Sequence, residues 1–192
     1  MGWVSRLDYK RAKTDEEKSL CLGGIPRKYW GATQEEITFL PVAIDAEGKH
    51  VSMSGKRQSD LFSSISFEEP GLLAIGSKPT DHAALFSVVV LIRRANALGL
   101  KWVLINSSEV QHADPEAEIL IIINLVTKST DFRLQAVRDA ISRRTDRLSV
   151  LVIGGEDPLA FCTAKLSIMP DITFFVEAKE AAIWKTAGGG DE

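Results

Sequence analysis

The sequence is poor in the residues that metal and redox chemistry use. Its two cysteines, Cys21 and Cys162, stand far apart with no second cysteine near either, and its three histidines, His50, His82 and His112, fall at no ligand spacing with acids or cysteines. No metal site is expected, and the thiols read as buried. Charge of one sign is also lacking: 23 Lys and Arg oppose 26 Asp and Glu, for a net charge of -3 and a pI near 5.7. Contact with nucleic acid would therefore need a local patch rather than the field of the whole chain. No apolar run approaches the ~20 residues that span a bilayer, and the N-terminus lacks the apolar core of a secretory signal. Gly2 would suit N-myristoylation, but Arg6 stands where that pattern needs Ser or Thr. A cytoplasmic protein with no membrane contact is expected. No GxSxG elbow is present, so Ser107 and Ser108 read as helix caps rather than nucleophiles. What is present is an ordinary globular mixture, 45% hydrophobic and 26% charged over 192 residues, which excludes bulk disorder and makes one core the default.

Along the chain, residues 1–66 read as an N-terminal arm and packing segment, 67–180 as an α/β core and 181–192 as a flexible tail. The arm carries Trp3 and Tyr9 among charges of mixed sign and suits a partner-binding helix. A turn-rich stretch follows, Gly23, Gly24, Ile25, Pro26, Arg27, Lys28, Tyr29, Trp30, and then apolar Ile37, Phe39 and Leu40 that would pack onto the core. Residues 45–48 look like a hairpin turn between 42–44 and 51–53. From Glu69 onward, short and almost wholly apolar runs at 72–75, 102–105, 119–123, 148–153 and 173–176 alternate with helical stretches. Strands buried on both faces of a parallel sheet read this way, so a five-stranded parallel sheet is expected. The helix over 80–98 is nearly all apolar and stops at Gly99, a suitable C′ residue, while 132–144 carries Leu134, Val137 and Ile141 at helical spacing. Asp157 with Pro158 opens a helix running through Leu166.

In an open parallel sheet the first strand-to-helix turn is the natural phosphate cradle. Here it reads Gly76, Ser77, Lys78, Pro79, Thr80, Asp81, His82, Ala83. Laid over GxxxxGK[ST], Gly76 matches, but Asp81 replaces the second Gly, His82 the Lys and Ala83 the metal-binding hydroxyl. An Asp there would repel a triphosphate, and a largely neutral His cannot stand in for a permanent ammonium. The third strand gives an independent check, because a P-loop ATPase ends it with an acid for Mg²⁺. Here Ile123 is followed by Asn124 and Leu125. The losses are coherent and point to an NTPase frame without the NTPase reaction.

Over most of its length the sequence resembles the bacterial helicase-loader family of DnaC and IstB type AAA+ ATPases, as a degenerate member. The run from Leu22 to Tyr29 with Ala32 and Thr33 is similar to the stretch preceding the ATPase core in those loaders, and the element order from Gly76 to Gly154 is similar to their core. The resemblance implies a three-layer P-loop NTPase-like (AAA+/ASCE) core with strand order 5-1-4-3-2 and no lid domain. It also implies a replicative helicase or initiator protein as partner, with single-stranded DNA as a further contact. Asp81, His82, Ala83, Asn124, Leu125 and either Gly154 or Gly155 occupy the positions where that family carries its ATP chemistry, so neither ATP hydrolysis nor bound ATP and Mg²⁺ is expected.

The leading expectation is a non-catalytic, AAA+-like adaptor in DNA replication acting by protein contact. A residual anion site would comprise Gly76, Ser77, Lys78, Thr80 and His82, weighed against an ordinary turn. Arg133, Arg138, Arg143 and Arg144, with Lys128 and Arg147, form a basic set for DNA or a partner, weighed against a solvated helix face balanced by Asp131, Asp139 and Asp146. Trp3, Tyr29 and Trp30 are the candidate aromatic anchors, with a core role for the last two as the counter-reading. The alternatives are a nucleotide-dependent ATPase whose phosphate contacts come from Lys78 and a partner chain, and a single-stranded-DNA-binding module.

Overall fold

The structure is a computed structural model and describes residues 6–179 apart from 47–48, 79–80, 115, 127 and 156. Trp3, Thr80 and the expected tail over 181–192 lie outside the described residues, as do the side chains of Lys78 and His82. The chain opens with helices α1 (Arg6–Arg11) and α2 (Asp15–Leu22). Thr14 starts α2 with a reciprocal cap: its hydroxyl accepts from the Glu17 N–H at 3.1 Å, and the Glu17 carboxylate accepts from the Thr14 N–H at 3.2 Å. Strands β1 (Ile37–Leu40), β2 (Val42–Ala46) and β3 (Lys49–Met53) and helix α3 (Gly55–Ser63) follow. β2 and β3 form the antiparallel hairpin that the sequence signalled, a two-stranded sheet of its own.

The α/β part runs β4 (Gly71–Lys78), α4 (Asp81–Ala97), β5 (Trp102–Asn106), β6 (Ile119–Leu125), α5 (Asp131–Ser142), β7 (Leu148–Gly154), α6 (Pro158–Phe161) and β8 (Ile172–Ala178). The expected helix through Leu166 is four residues of α-helix continued by a π-helical turn, Cys162–Leu166. The main sheet has the order β1-β8-β4-β7-β6-β5. β8, β4, β7, β6 and β5 are mutually parallel, and β1 joins the outer edge of β8 antiparallel. The expected five-stranded parallel sheet is thus corrected to six strands. β1 escaped notice because a four-residue run, buried at Ile37 and Phe39 and exposed at Thr38, is too short to distinguish from a packing loop.

Alternate residues of each inner strand feed opposite layers, which is why the runs are apolar throughout. Leu73, Ile75, Ile121, Val150 and Phe174 face one cluster with α4, while Leu72, Ala74, Ile122, Leu151 and Ile153 face the other with α5 and α6. α4 is buried on its outer side too, beneath the N-terminal segment. Phe86 takes the edge of Tyr29 at 5.6 Å between ring centroids. Arg93 donates to the carbonyls of Ala32 (2.8 Å) and Trp30, and its Nε lies 2.7 Å from Glu16. Arg94 donates to the carbonyls of Phe62 (2.7 Å) and Ile65 (2.8 Å) and stacks 5.0 Å from the centre of Phe67. At the β1 edge, buried Gln58 stitches β1 to β8, donating to the Leu40 carbonyl and accepting from the Phe175 N–H at 3.1 Å.

Charged donors to carbonyl groups contribute about 1.5–3 kcal/mol each. Replacing Arg94 by Leu keeps the apolar stem and removes two such bonds, so Arg94→Leu is expected to cost about 3 kcal/mol in urea unfolding. A loss below about 1 kcal/mol would mean that water replaces the guanidinium at no penalty.

Candidate functional site at the carboxyl end of the sheet

Ligands of open parallel sheets bind where the strands deliver their carboxyl ends. Here that end is built by the last residues of β4, β5, β6 and β7, by the start of α4 and by the turn after α2. β4 does not break at Gly76. It stays in register on both sides, with Gly76 opposite Ile153 and Phe175, Ser77 opposite Gly154 and Val176, and Lys78 opposite Glu177. The Ser77 carbonyl accepts the Gly155 N–H at 2.9 Å, and its side chain is fully buried with no hydrogen-bond partner among the described residues. Two residues separate the strand from α4.

β6 ends in a bulge. Ile122 pairs with Leu151 and Leu125 with Ile153, so two residues, Ile123 and Asn124, oppose the single residue Val152. Asn124 takes a left-handed backbone with φ 62° and is turned out to solvent, while its carbonyl accepts the Ser107 hydroxyl at 3.0 Å. Asn tolerates that backbone better than other residues with a side chain.

The Gly23 to Pro26 turn closes the other wall. The Ile25 N–H reaches the Leu20 carbonyl and the Gly24 N–H the Cys21 carbonyl, both at 3.0 Å, which is a Schellman cap with Gly24 at C′ and φ 81°. Buried Ile25 and Leu20 supply its apolar contact, Pro26 stops the helix, and Trp30 donates its indole N–H to the Ile25 carbonyl at 2.8 Å. Ile25, Pro26, Leu85, Leu104, Ile123 and Val152 line a pocket of about 220 Å³ against these strand ends, with Asn124 and Gly154 as its polar margin.

The basic set does not come together as one patch. α5 starts at the carboxyl end of the sheet and runs away from it, so Arg133 and Arg143 are separated by about 15 Å along the axis. Arg133 is half-buried and Arg143 exposed. Arg138 donates to the Leu166 carbonyl at 2.6 Å and to Gln135 at 3.0 Å. Arg144 is 8% exposed and donates to the Ala117 carbonyl at 2.7 Å, and burial lowers its pKa from the ordinary guanidinium value. Its charge is spent on backbone carbonyls inside the protein.

Tyr29 and Trp30 are 4% and 5% exposed, so the expectation of surface anchors at these two positions is corrected: both rings roof α4. Tyr9 on α1 is exposed. Phe132, which no sequence expectation includes, is 80% exposed in the first turn of α5, and Val126, just beyond β6, is exposed as well. The only signal for Phe132 is a large ring two residues after the N-cap Thr130, off the apolar stripe of Leu134 and Val137.

Both cysteines are buried, and neither forms a disulfide. Burial, with Asp157 nearby, pushes the Cys162 thiol up to about 12. Among the described residues no group of three or more His, Cys, Asp or Glu could hold a metal ion, and no helix is long and apolar enough to cross a membrane.

No family model matches the chain, and no curated protein matches it. Sixteen solved chains do. One is described as the crystal structure of the DnaC helicase loader; it is 10% identical, with a TM-score of 0.50, over 80% of this chain and 100% of that one. The likeness shows an α/β fold similar to that of the loader and nothing further.

A thiol held near pKa 12 is almost wholly protonated at pH 8. Iodoacetamide at pH 8 is therefore expected to leave Cys162 unmodified in the folded protein and to alkylate it in urea, as read by peptide mass mapping. Rapid native labelling would refute the burial of that thiol.

Proposed function

We propose that this chain is a helicase-loader-like adaptor of AAA+ fold that acts in DNA replication by protein contact, without binding or hydrolysing ATP. One observation supports the reading: β4 stays a doubly paired strand through Ser77 and pairs with β8 at Lys78, so the backbone of the first three positions of the would-be phosphate loop is engaged by neighbouring strands rather than open to a ligand. The neighbouring space supports it. A triphosphate with Mg²⁺ needs cationic and acidic partners, whereas this pocket is walled by Ile25, Pro26, Leu85, Leu104, Ile123 and Val152. The residues present do not fit that cofactor, and no step is routed through it.

With the chemistry absent, the surviving task is recognition. Phe132 and Val126, beside half-buried Arg133, offer an exposed apolar and cationic group at the same end of the sheet. The partner is a replicative helicase or initiator protein, and Phe132 is its anchor.

Two measurements test the reading. Titration calorimetry with ATP and Mg²⁺, run beside a phosphate-release assay, is expected to show neither heat of binding nor turnover; micromolar binding abolished by Lys78→Ala would defeat the proposal. Separately, Phe132→Asp is expected to weaken association with the replicative helicase of the same host at least about tenfold while leaving the thermal midpoint unchanged. Undiminished binding would remove Phe132 from the interface.

A further inference from the structure

β5 is the last strand of the main sheet and, among the described residues, pairs on one side only, with β6. The direction of each backbone group follows from two bonds at its ends: the Ile119 N–H donates to the Lys101 carbonyl at 3.1 Å, and the Ser107 N–H donates to the Ile123 carbonyl at 2.9 Å. In a parallel ladder every second residue turns both its groups to the same neighbour. Residues 101, 103, 105 and 107 therefore serve β6, and Trp102, Leu104 and Asn106 present theirs outward. The Asn106 carbonyl is taken by the Glu109 N–H at 2.8 Å. Among the described residues, no bond reaches the N–H or C=O of Trp102 and Leu104, or the N–H of Asn106.

Natural sheets blunt such edges with proline, inward charge, a bulge or a covering element. β5, Trp-Val-Leu-Ile-Asn, has none of the first three, and all five of its residues are half-buried, whereas most of β6 and β7 is fully buried. The element nearest its edge, α2, leaves an open groove of about 530 Å³ beside β5. Leu22, 72% exposed, lines it with Leu100, Trp102 and Leu104.

We propose that β5 is the seam of a two-fold homodimer, in which the open edges of two copies pair antiparallel about Leu104 and join two six-stranded sheets into one. The edge is complementary to itself. With Leu104 opposite Leu104, each donates its N–H to the other's carbonyl, and each Trp102 carbonyl faces the Asn106 N–H of the second copy. Trp102 and Leu104 lean toward the α4 side, and Val103 and Ile105 toward the α5 side, so each face gains apolar neighbours.

The helices leave room. Gly23 at the end of α2 lies so close to the Trp102 ring that a Cβ there would come within 2.4 Å of it. That places the end of α2 over the start of β5, and the two-fold sets the two α2 helices at opposite ends of the paired strands. This proposal does not depend on the nucleotide or helicase reading.

Sedimentation of the full chain over a dilution series tests it, together with amide exchange read by NMR. The expected result is a dimer that dissociates on dilution, with the Trp102, Leu104 and Asn106 amides exchanging at least about tenfold more slowly in the concentrated sample. Leu104→Pro removes one outward N–H and leaves the bonds to β6 intact, so it is expected to be monomeric with an unchanged far-UV spectrum. A wild-type chain that stays monomeric at the highest concentration overturns the proposal, as does a dimer in which those three amides stay fast or which Leu104→Pro leaves whole. If Leu104→Pro fails to fold, the exchange rates of the wild-type protein decide alone.

Discussion

Two adjacent guanidinium groups on one buried helix hold the N-terminal third of the chain to the α/β layers. α4 is too apolar to face water on either side, with Phe86, Val88, Val89, Leu91, Ile92 and Ala95 all buried. The sheet covers one side, and the other needs a roof. Arg93 and Arg94 tie that roof down by donating to four carbonyls, those of Ala32, Trp30, Phe62 and Ile65, in places where neither helix nor strand supplies a partner. Directed bonds of this kind fix where the roof sits, which apolar burial alone cannot do, because contact area is indifferent to small sliding.

The carboxyl end of the sheet inherits its character from that attachment. Because residues 23–30 are held against α4, Ile25 and Pro26 wall the space beside the strand ends where a ligand of a parallel sheet would sit. The Schellman cap on α2 then accounts for Gly24, Ile25 and Pro26 by helix termination, whatever their bearing on recognition. The likeness to the DnaC helicase loader concerns the frame alone. The chemistry of this end belongs to the chain's own residues, and there it is apolar, with a bulge that turns Asn124 outward.

The two edges of the sheet are finished differently. At one, β1 lies antiparallel along β8, and the junction is sewn by Gln58, whose amide serves both strands at once. At the other, β5 keeps a row of outward backbone groups that no described residue meets. Backbone donors and acceptors cost free energy when they lose water without gaining a partner, so an apolar row of them favours a further strand.

By itself, the sequence determined the alternation of buried strands and helices, the burial of both thiols and the cap at Gly99. These are local or compositional properties: apolar periodicity, turn chemistry and the charge of a side chain are properties of the residue string. Tertiary structure alone decided the sixth strand, the burial of Tyr29, Trp30 and Arg144, the dispersal of the arginines along α5 and the exposure of Phe132. Each of those depends on which distant element lies against a residue. A four-residue strand such as β1 has no identity until β8 pairs with it, and an arginine becomes internal only when carbonyls 27 residues away in the chain, as from Arg144 to Ala117, arrive to receive it.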